Sequence, residues 1–76
     1  MIWIEDQNGN LYYCSSIKIK IITSNQILIV NQNGETLGEY FDMARANKVL
    51  KAIKDVIIYN EVKIFSMPKK FEIPEE

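Results

Sequence analysis

Cys14, Ser15 and Ser16, with Lys18 close behind, are the residues from which a nucleophilic site could be built. The chain contains no histidine, so a thiol or hydroxyl here would have to act without an imidazole base, or through a serine–lysine pair. Strand alternation alone accounts for Lys18 as a solvent-facing residue, and it is the simpler reading. Two carboxylate pairs, Glu5-Asp6 and Glu75-Glu76, lie at a turn and at the terminus. General acid–base work needs an enclosed site that drives two pKa values apart, and neither position supplies one. One thiol and no histidine cannot form a tetrahedral zinc site. No phosphate loop, dinucleotide fingerprint or calcium loop is present, so no cofactor is expected.

The aromatic residues offer more. Trp3 and either Tyr12 or Tyr13 can share a sheet face across the first hairpin. With Lys18 or Lys20 beside it, such a face could stack a base and hold a phosphate. A sheet whose aromatics fill a core or a dimer interface explains the same residues and is preferred. Arg45, Lys48, Lys51 and Lys54 step by three residues, so they wind around a helix as a solvated face and do not line one edge. In Leu37–Ile53 a strand end meets a helix start at Asp42. Tyr40, Asp42 and Arg45 would surround the free amides of that helix, where an anion could bind. Asp42 brings its own negative charge to those amides, so scaffold is the better reading of the joint.

These groups need a frame. The chain has 76 residues, a formal charge of −1, 47% hydrophobic residues and one cysteine. It is one small globular domain, with no disulfide and a core expected to supply only about 3–5 kcal/mol. A homo-oligomer is the expected remedy. The start of the chain shows no secretory leader and no apolar run is long enough to span a bilayer, so a cytoplasmic protein with a free thiol is expected. Isoleucine outnumbers leucine, and asparagine and glutamine are abundant. That bias fits an AT-rich genome and is read as codon supply.

Alternation and turn signals predict strands over Met1–Glu5, Leu11–Cys14, Ile17–Thr23, Ile27–Asn31 and Glu35–Phe41. Asn8-Gly9 and Asn33-Gly34 mark hairpin turns. Asp42 is the expected N-cap of a helix whose stripe is Ala46, Val49, Leu50, Ile53 and Ile57, with Asn60 as its stop. Leu37 and Phe41 should pack beneath it, Gly38 marks a bulge or close approach, and the Tyr40 hydroxyl anchors the corner. Glu61–Ser66 is a possible last strand. The fold class is α+β: an antiparallel meander of about five strands, then one amphipathic helix packed on the sheet, with residues 1–68 as the domain and 69–76 as a mobile charged tail. No internal repeat is evident. The sheet face away from the helix, with Trp3, Ile22, Leu28 and Val30 as candidates, would be an uncovered apolar surface and hence an interaction surface.

The order Trp3-Ile4, Asp6-Gln7-Asn8-Gly9-Asn10-Leu11, Leu37-Gly38-Glu39-Tyr40, Ala46 to Ile53 and Phe65-Ser66-Met67-Pro68 resembles small uncharacterised proteins encoded by phages and integrated elements of low-GC Gram-positive bacteria. Their pattern is W-I, G-x-Y, A-x-x-V-L-x-x-I, then F-x-M-P. This chain departs from it in two places: Met43-Ala44-Arg45 lacks the acidic residue often found before the arginine, and the tail runs eight residues past Pro68. No active site carries over. The resemblance implies an accessory protein, many of which counter host defence by blocking a host protein or sequestering a nucleotide immune signal. The leading expectation is therefore a non-enzymatic inhibitor of a host protein, binding through the face around Trp3 and the strand edges. The alternative is a nucleotide sponge, with Trp3, Tyr12, Lys18, Tyr40 and Arg45 around a pocket at a subunit interface. A nucleic-acid module ranks third because of the net charge.

Overall fold

The computed structural model describes residues 2–59 and 64–69. The chain runs β1 (Ile2–Glu5), β2 (Leu11–Cys14), β3 (Ile17–Thr23), β4 (Gln26–Asn31), β5 (Thr36–Tyr40), α1 (Met43–Tyr59) and β6 (Ile64–Ser66). The α+β meander is as expected. It is divided, however, into two three-stranded sheets, ordered β2-β1-β6 and β3-β4-β5. The division falls at Ser15-Ser16, where the chain leaves one sheet and enters the other. β6 is parallel to β1, with Trp3 opposite Ile64 and Glu5 opposite Ser66. Residues 1, 60–63 and 70–76 lie outside the described residues, and with them the stop expected at Asn60, the first part of the strand expected over Glu61–Ser66 and all but Lys69 of the tail expected to be mobile.

Both sheets and the helix share one core. Ile2, Ile4 and Cys14 enter it from the first sheet, Ile27, Ile29 and Tyr40 from the second, and Ala46, Val49 and Ile53 from α1. The helical spacing puts the last three on one face. Asp42 caps the helix as expected, its Oδ1 accepting the Arg45 amide at 2.9 Å. Two expected core residues lie outside. Phe41 is exposed, with the Arg45 guanidinium 5.5 Å above its ring. Ile57 is exposed, at the rim of a hollow it shares with Ile2 and Ile17. Among the described residues no helix is long and apolar enough to cross a membrane.

The uncovered face of the second sheet also differs from expectation. Register puts Lys18 beside Val30 and Lys20 beside Leu28. Val30 is buried and Leu28 half-buried, and lysine stems can cover such residues while their heads stay wet. Trp3 belongs to the other sheet. A bulge explains each broken alternation. Ile29 faces Gly38 while Val30 faces Thr36, so Leu37 is the extra residue of β5. Ile22 is the extra residue of β3, which leaves both Ile21 and Ile22 exposed.

One turn is built twice. In Asp6-Gln7-Asn8-Gly9-Asn10, Asp6 Oδ1 accepts the amides of Asn8 at 2.9 Å and Asn10 at 2.8 Å. In Asn31-Gln32-Asn33-Gly34-Glu35, Asn31 Oδ1 accepts the amides of Asn33 and Glu35, both at 3.0 Å. Gly9 (φ 89°) and Gly34 (φ 79°) take the left-handed position that glycine fills without strain. The repeat is too short to appear as self-similarity of the chain.

The glutamine in each turn then reaches the other hairpin. Gln7 Oε1 accepts the Glu39 amide at 2.9 Å, and its Nε2 donates to the Glu39 carbonyl at 3.2 Å and the Pro68 carbonyl at 2.9 Å. Gln32 Oε1 accepts the Ser15 amide at 3.1 Å and its Nε2 donates to the Tyr13 carbonyl at 3.2 Å. Each amide thus occupies the outer edge of a strand in the opposite hairpin, β5 and β2 respectively.

The first turn carries a pH dependence. Burial alone would raise the Asp6 carboxyl, but hydrogen bonds from the Asn10 and Asn8 amides and the Asn10 side chain hold it below its ordinary value. A carboxyl lowered in the folded state stabilises fully above its unfolded pKa, about 3.9, and that contribution disappears as pH falls through the folded value. Asp6→Ala is expected to cost about 1–2 kcal/mol at pH 7. Asp6→Asn should keep the turn, because Asn31 performs the same task with an amide, and should abolish this acid-dependent loss. Urea titrations of the three proteins from neutral pH to below about pH 4 check both outcomes.

Candidate functional site

The outer face of the first sheet presents apolar side chains from all three strands. Strand alternation sends Ile2 and Ile4 inward, so Trp3 and Glu5 turn outward. The five-residue turn then sets the register: Trp3 lies opposite Tyr13, and Glu5 opposite Leu11. The Trp3 and Tyr13 rings meet at a centroid distance of 4.9 Å with an interplanar angle of 49°, within the range of favourable aromatic pairs. Ile64 of β6 flanks Trp3 on its other side. Trp3 is 44% exposed, and Leu11, Tyr13 and Ile64 are each 49% exposed. Glu5 and Ser66 border this face and are joined by a bond from Ser66 Oγ to Glu5 Oε1 of 3.0 Å. The surface is continuous across three strands and has an aromatic pair at its centre. It is a contiguous apolar patch, a feature that often marks interaction sites.

The five residues expected to bind do not converge within the chain. Trp3 is on the outer face of the first sheet, while Tyr12, one residue out of phase with Tyr13, turns inward and packs against the core. Tyr13 is the partner of Trp3, and register decides it. Lys18 projects from the far face of the second sheet beside Val30. Tyr40 is fully buried and its hydroxyl donates to the Pro68 carbonyl at 2.7 Å. It anchors the corner, as expected, and offers nothing to a ligand. Arg45 is ion-paired with Asp42 within the first helical turn. The helix N-terminus, where scaffold is the preferred reading over an anion site, is occupied by the protein's own carboxylate and guanidinium.

The candidate nucleophiles do share a cleft. Cys14, Ser15 and Ser16 line a hollow of about 180 Å³ between α1 and the β2–β3 joint, together with Ile53, Lys54 and Ile57. The lysine here comes from the helix and is not Lys18. Cys14 is buried, and burial pushes its thiol above the ordinary value, with the Asn31 side chain opposing and Glu35 adding to the rise. A neutral, desolvated thiol is a poor nucleophile. Its other role is plain: it is a buried member of the shared core, opposite Ile2 in the first sheet.

Among the residues that join the elements, Gln7, Gln32 and Asn31 have no periodicity to reveal them, and Asp6 is visible in the sequence only as half of a carboxylate pair. The signal available was the near-identity of Asp6-Gln7-Asn8-Gly9 and Asn31-Gln32-Asn33-Gly34. Compared with protein-family models, curated proteins and solved structures, the chain matches none.

Proposed function

We propose that this chain is a non-enzymatic accessory protein of a phage or integrated element, acting in the host cytoplasm by binding and inhibiting a host protein. The contact surface in this reading is the outer face of the first sheet. The observation that carries it is the row Tyr13–Trp3–Ile64, continued by Leu11, in which four large apolar side chains stand in solvent on one face of a small chain. Leaving such a face wet is costly, and an interface with a central tryptophan recovers that cost. The phage setting rests on the sequence resemblance described above.

The test is affinity capture of the tagged protein from a low-GC Gram-positive lysate, repeated with Trp3→Ala. Trp3 packs on Tyr13 at the surface and contributes nothing to the core, so the variant should fold. The expected result is one stoichiometric host protein, with affinity for Trp3→Ala lower by at least about 30-fold, as for an interface hot spot of about 2 kcal/mol. Capture undiminished by Trp3→Ala removes the face from the proposal. Absence of any partner, with self-association lost in Trp3→Ala, would make the face a homo-oligomer contact.

A further inference from the structure

The two turn glutamines identify a second surface by what they leave uncovered. A sheet edge exposes backbone amides and carbonyls that will pair with any strand offered, and proteins usually obstruct such edges. Here Gln7 plugs the outer edge of β5 at Glu39, and Gln32 plugs that of β2 at Tyr13 and Ser15. β3 is the other edge of the second sheet. It is seven residues long and, among the described strands, is the longest and pairs with β4 alone. None of its residues is buried, whereas β5, the plugged edge of the same sheet, buries three of five.

The side chains of β3 then specify what can pair with it. Ile17, Ile19 and Ile21 alternate with Lys18 and Lys20. In antiparallel pairing, directly opposed residues on one face lie close enough for charge to matter. A second copy of β3 would set lysines against lysines, so this edge is guarded against its own kind. A strand that alternates apolar with acidic residues would meet isoleucine with apolar contact and lysine with opposite charge.

We propose that β3 is a docking edge for an extended, alternating apolar–acidic segment of a partner protein, which adds to the second sheet as an antiparallel strand. This rests on the reading of the chain as a binding protein, but on none of the residues of the Trp3 face. Strand addition draws affinity from the main chain and specificity from alternate side chains. From Ile17 to Ile21, before the bulge at Ile22, every second residue of β3 turns its amide and carbonyl away from β4, so an incoming strand is held there by every second one of its own residues.

The probe is a fluorescein-labelled, C-terminally amidated heptapeptide, Thr-Val-Glu-Val-Glu-Val-Thr, titrated with the full chain and read by anisotropy. The expected result is saturable binding. The same peptide with lysine in place of glutamate should bind at least about tenfold more weakly. Lys18→Glu with Lys20→Glu, both on exposed side chains, should still fold, as checked by cooperative melting, and reverse that preference. N-methylating the peptide at one set of alternate residues should abolish binding, and methylating the other set should leave it intact. Trp3→Ala should bind the peptide as the parent chain does. Equal binding of both peptides, no change of preference in the double variant, equal effects of the two methylation sets, or no binding at all would each overturn the proposal. The two surfaces are separable in the lysate experiment: capture lost in the lysine double variant but kept in Trp3→Ala would retire the Trp3 face and leave the β3 edge.

Discussion

Gln7→Ala is expected to destabilise the protein by about 2–4 kcal/mol. On a chain of this size that is most of the stability available. The reasoning is a count of what loses its partner. The side chain accepts the Glu39 amide and donates to the carbonyls of Glu39 and Pro68, while its own backbone amide donates to the Leu37 carbonyl at 3.2 Å. Truncation leaves one amide and one carbonyl of β5 without these bonds. It also removes a link between the first turn and the segment after β6. Gln32→Ala, at an exposed position with two such bonds, should cost about 1 kcal/mol. Gln7→Glu separates hydrogen bonding from side-chain volume. A carboxylate there would face the Glu39 and Pro68 carbonyls, so its folded pKa should rise above the unfolded value near 4.3. An acid raised in the folded state destabilises at neutral pH and recovers as pH falls through that raised value. Gln7→Glu should therefore resemble Gln7→Ala at pH 7 and regain stability on mild acidification, whereas Gln7→Ala should not. Urea midpoints at two pH values decide it. Equal stability of parent and Gln7→Ala would mean that water replaces the amide without loss.

What the sequence showed and what it concealed divide along one physical line. Signals carried by a few adjacent residues were legible. Ile17, Ile19 and Ile21 alternating with lysines mark β3, the asparagine–glycine pairs mark both turns, and Asp42 marks the helix start, because each reports local backbone conformation. Signals that depend on distant pairing were not. Ser15-Ser16 reads as a break between two strands, and only long-range register shows that it separates two sheets. β6 has three residues, and its parallel partner β1 lies more than sixty positions away. The candidate site shows the same contrast. Trp3 was recognisable as an outward aromatic, but the choice between Tyr12 and Tyr13 waited on register. Arg45 looked available until Asp42 was seen to pair with it. The abundance of glutamine and asparagine was read as codon supply. Gln7 and Asn31 show that part of it is structural, since a side-chain amide can stand in for a strand's backbone at a sheet edge.

Gly38→Val should prevent folding altogether, and Gly38→Ala should cost about 1–3 kcal/mol through overpacking. A Cβ at this position would sit 2.9 Å from the Tyr40 hydroxyl oxygen and 3.0 Å from both Tyr40 Cε2 and Met67 Cε. Met67 ends in a flexible methyl and can give way. Tyr40 cannot: its ring is fully buried in the core and its hydroxyl is held by Pro68 at 2.7 Å. The bulge at Leu37 brings Gly38 opposite Ile29 and beneath that ring, so glycine is required here for space. Tyr40→Phe by itself should cost about 1 kcal/mol, since the Pro68 carbonyl keeps its bond from Gln7. In the Gly38→Ala, Tyr40→Phe double variant the nearest clash is gone, so the loss should be smaller than the sum of the two single losses. Simple additivity in urea denaturation would show that the hydroxyl is not what the new methyl meets. The strand-to-helix joint then has a definite task. Gly38 makes room for Tyr40, Tyr40 ties the strand end to the chain after β6, and Asp42 starts the helix and pairs with Arg45. The joint closes the core, and the two surfaces proposed for recognition, the face around Trp3 and the edge of β3, lie outside it.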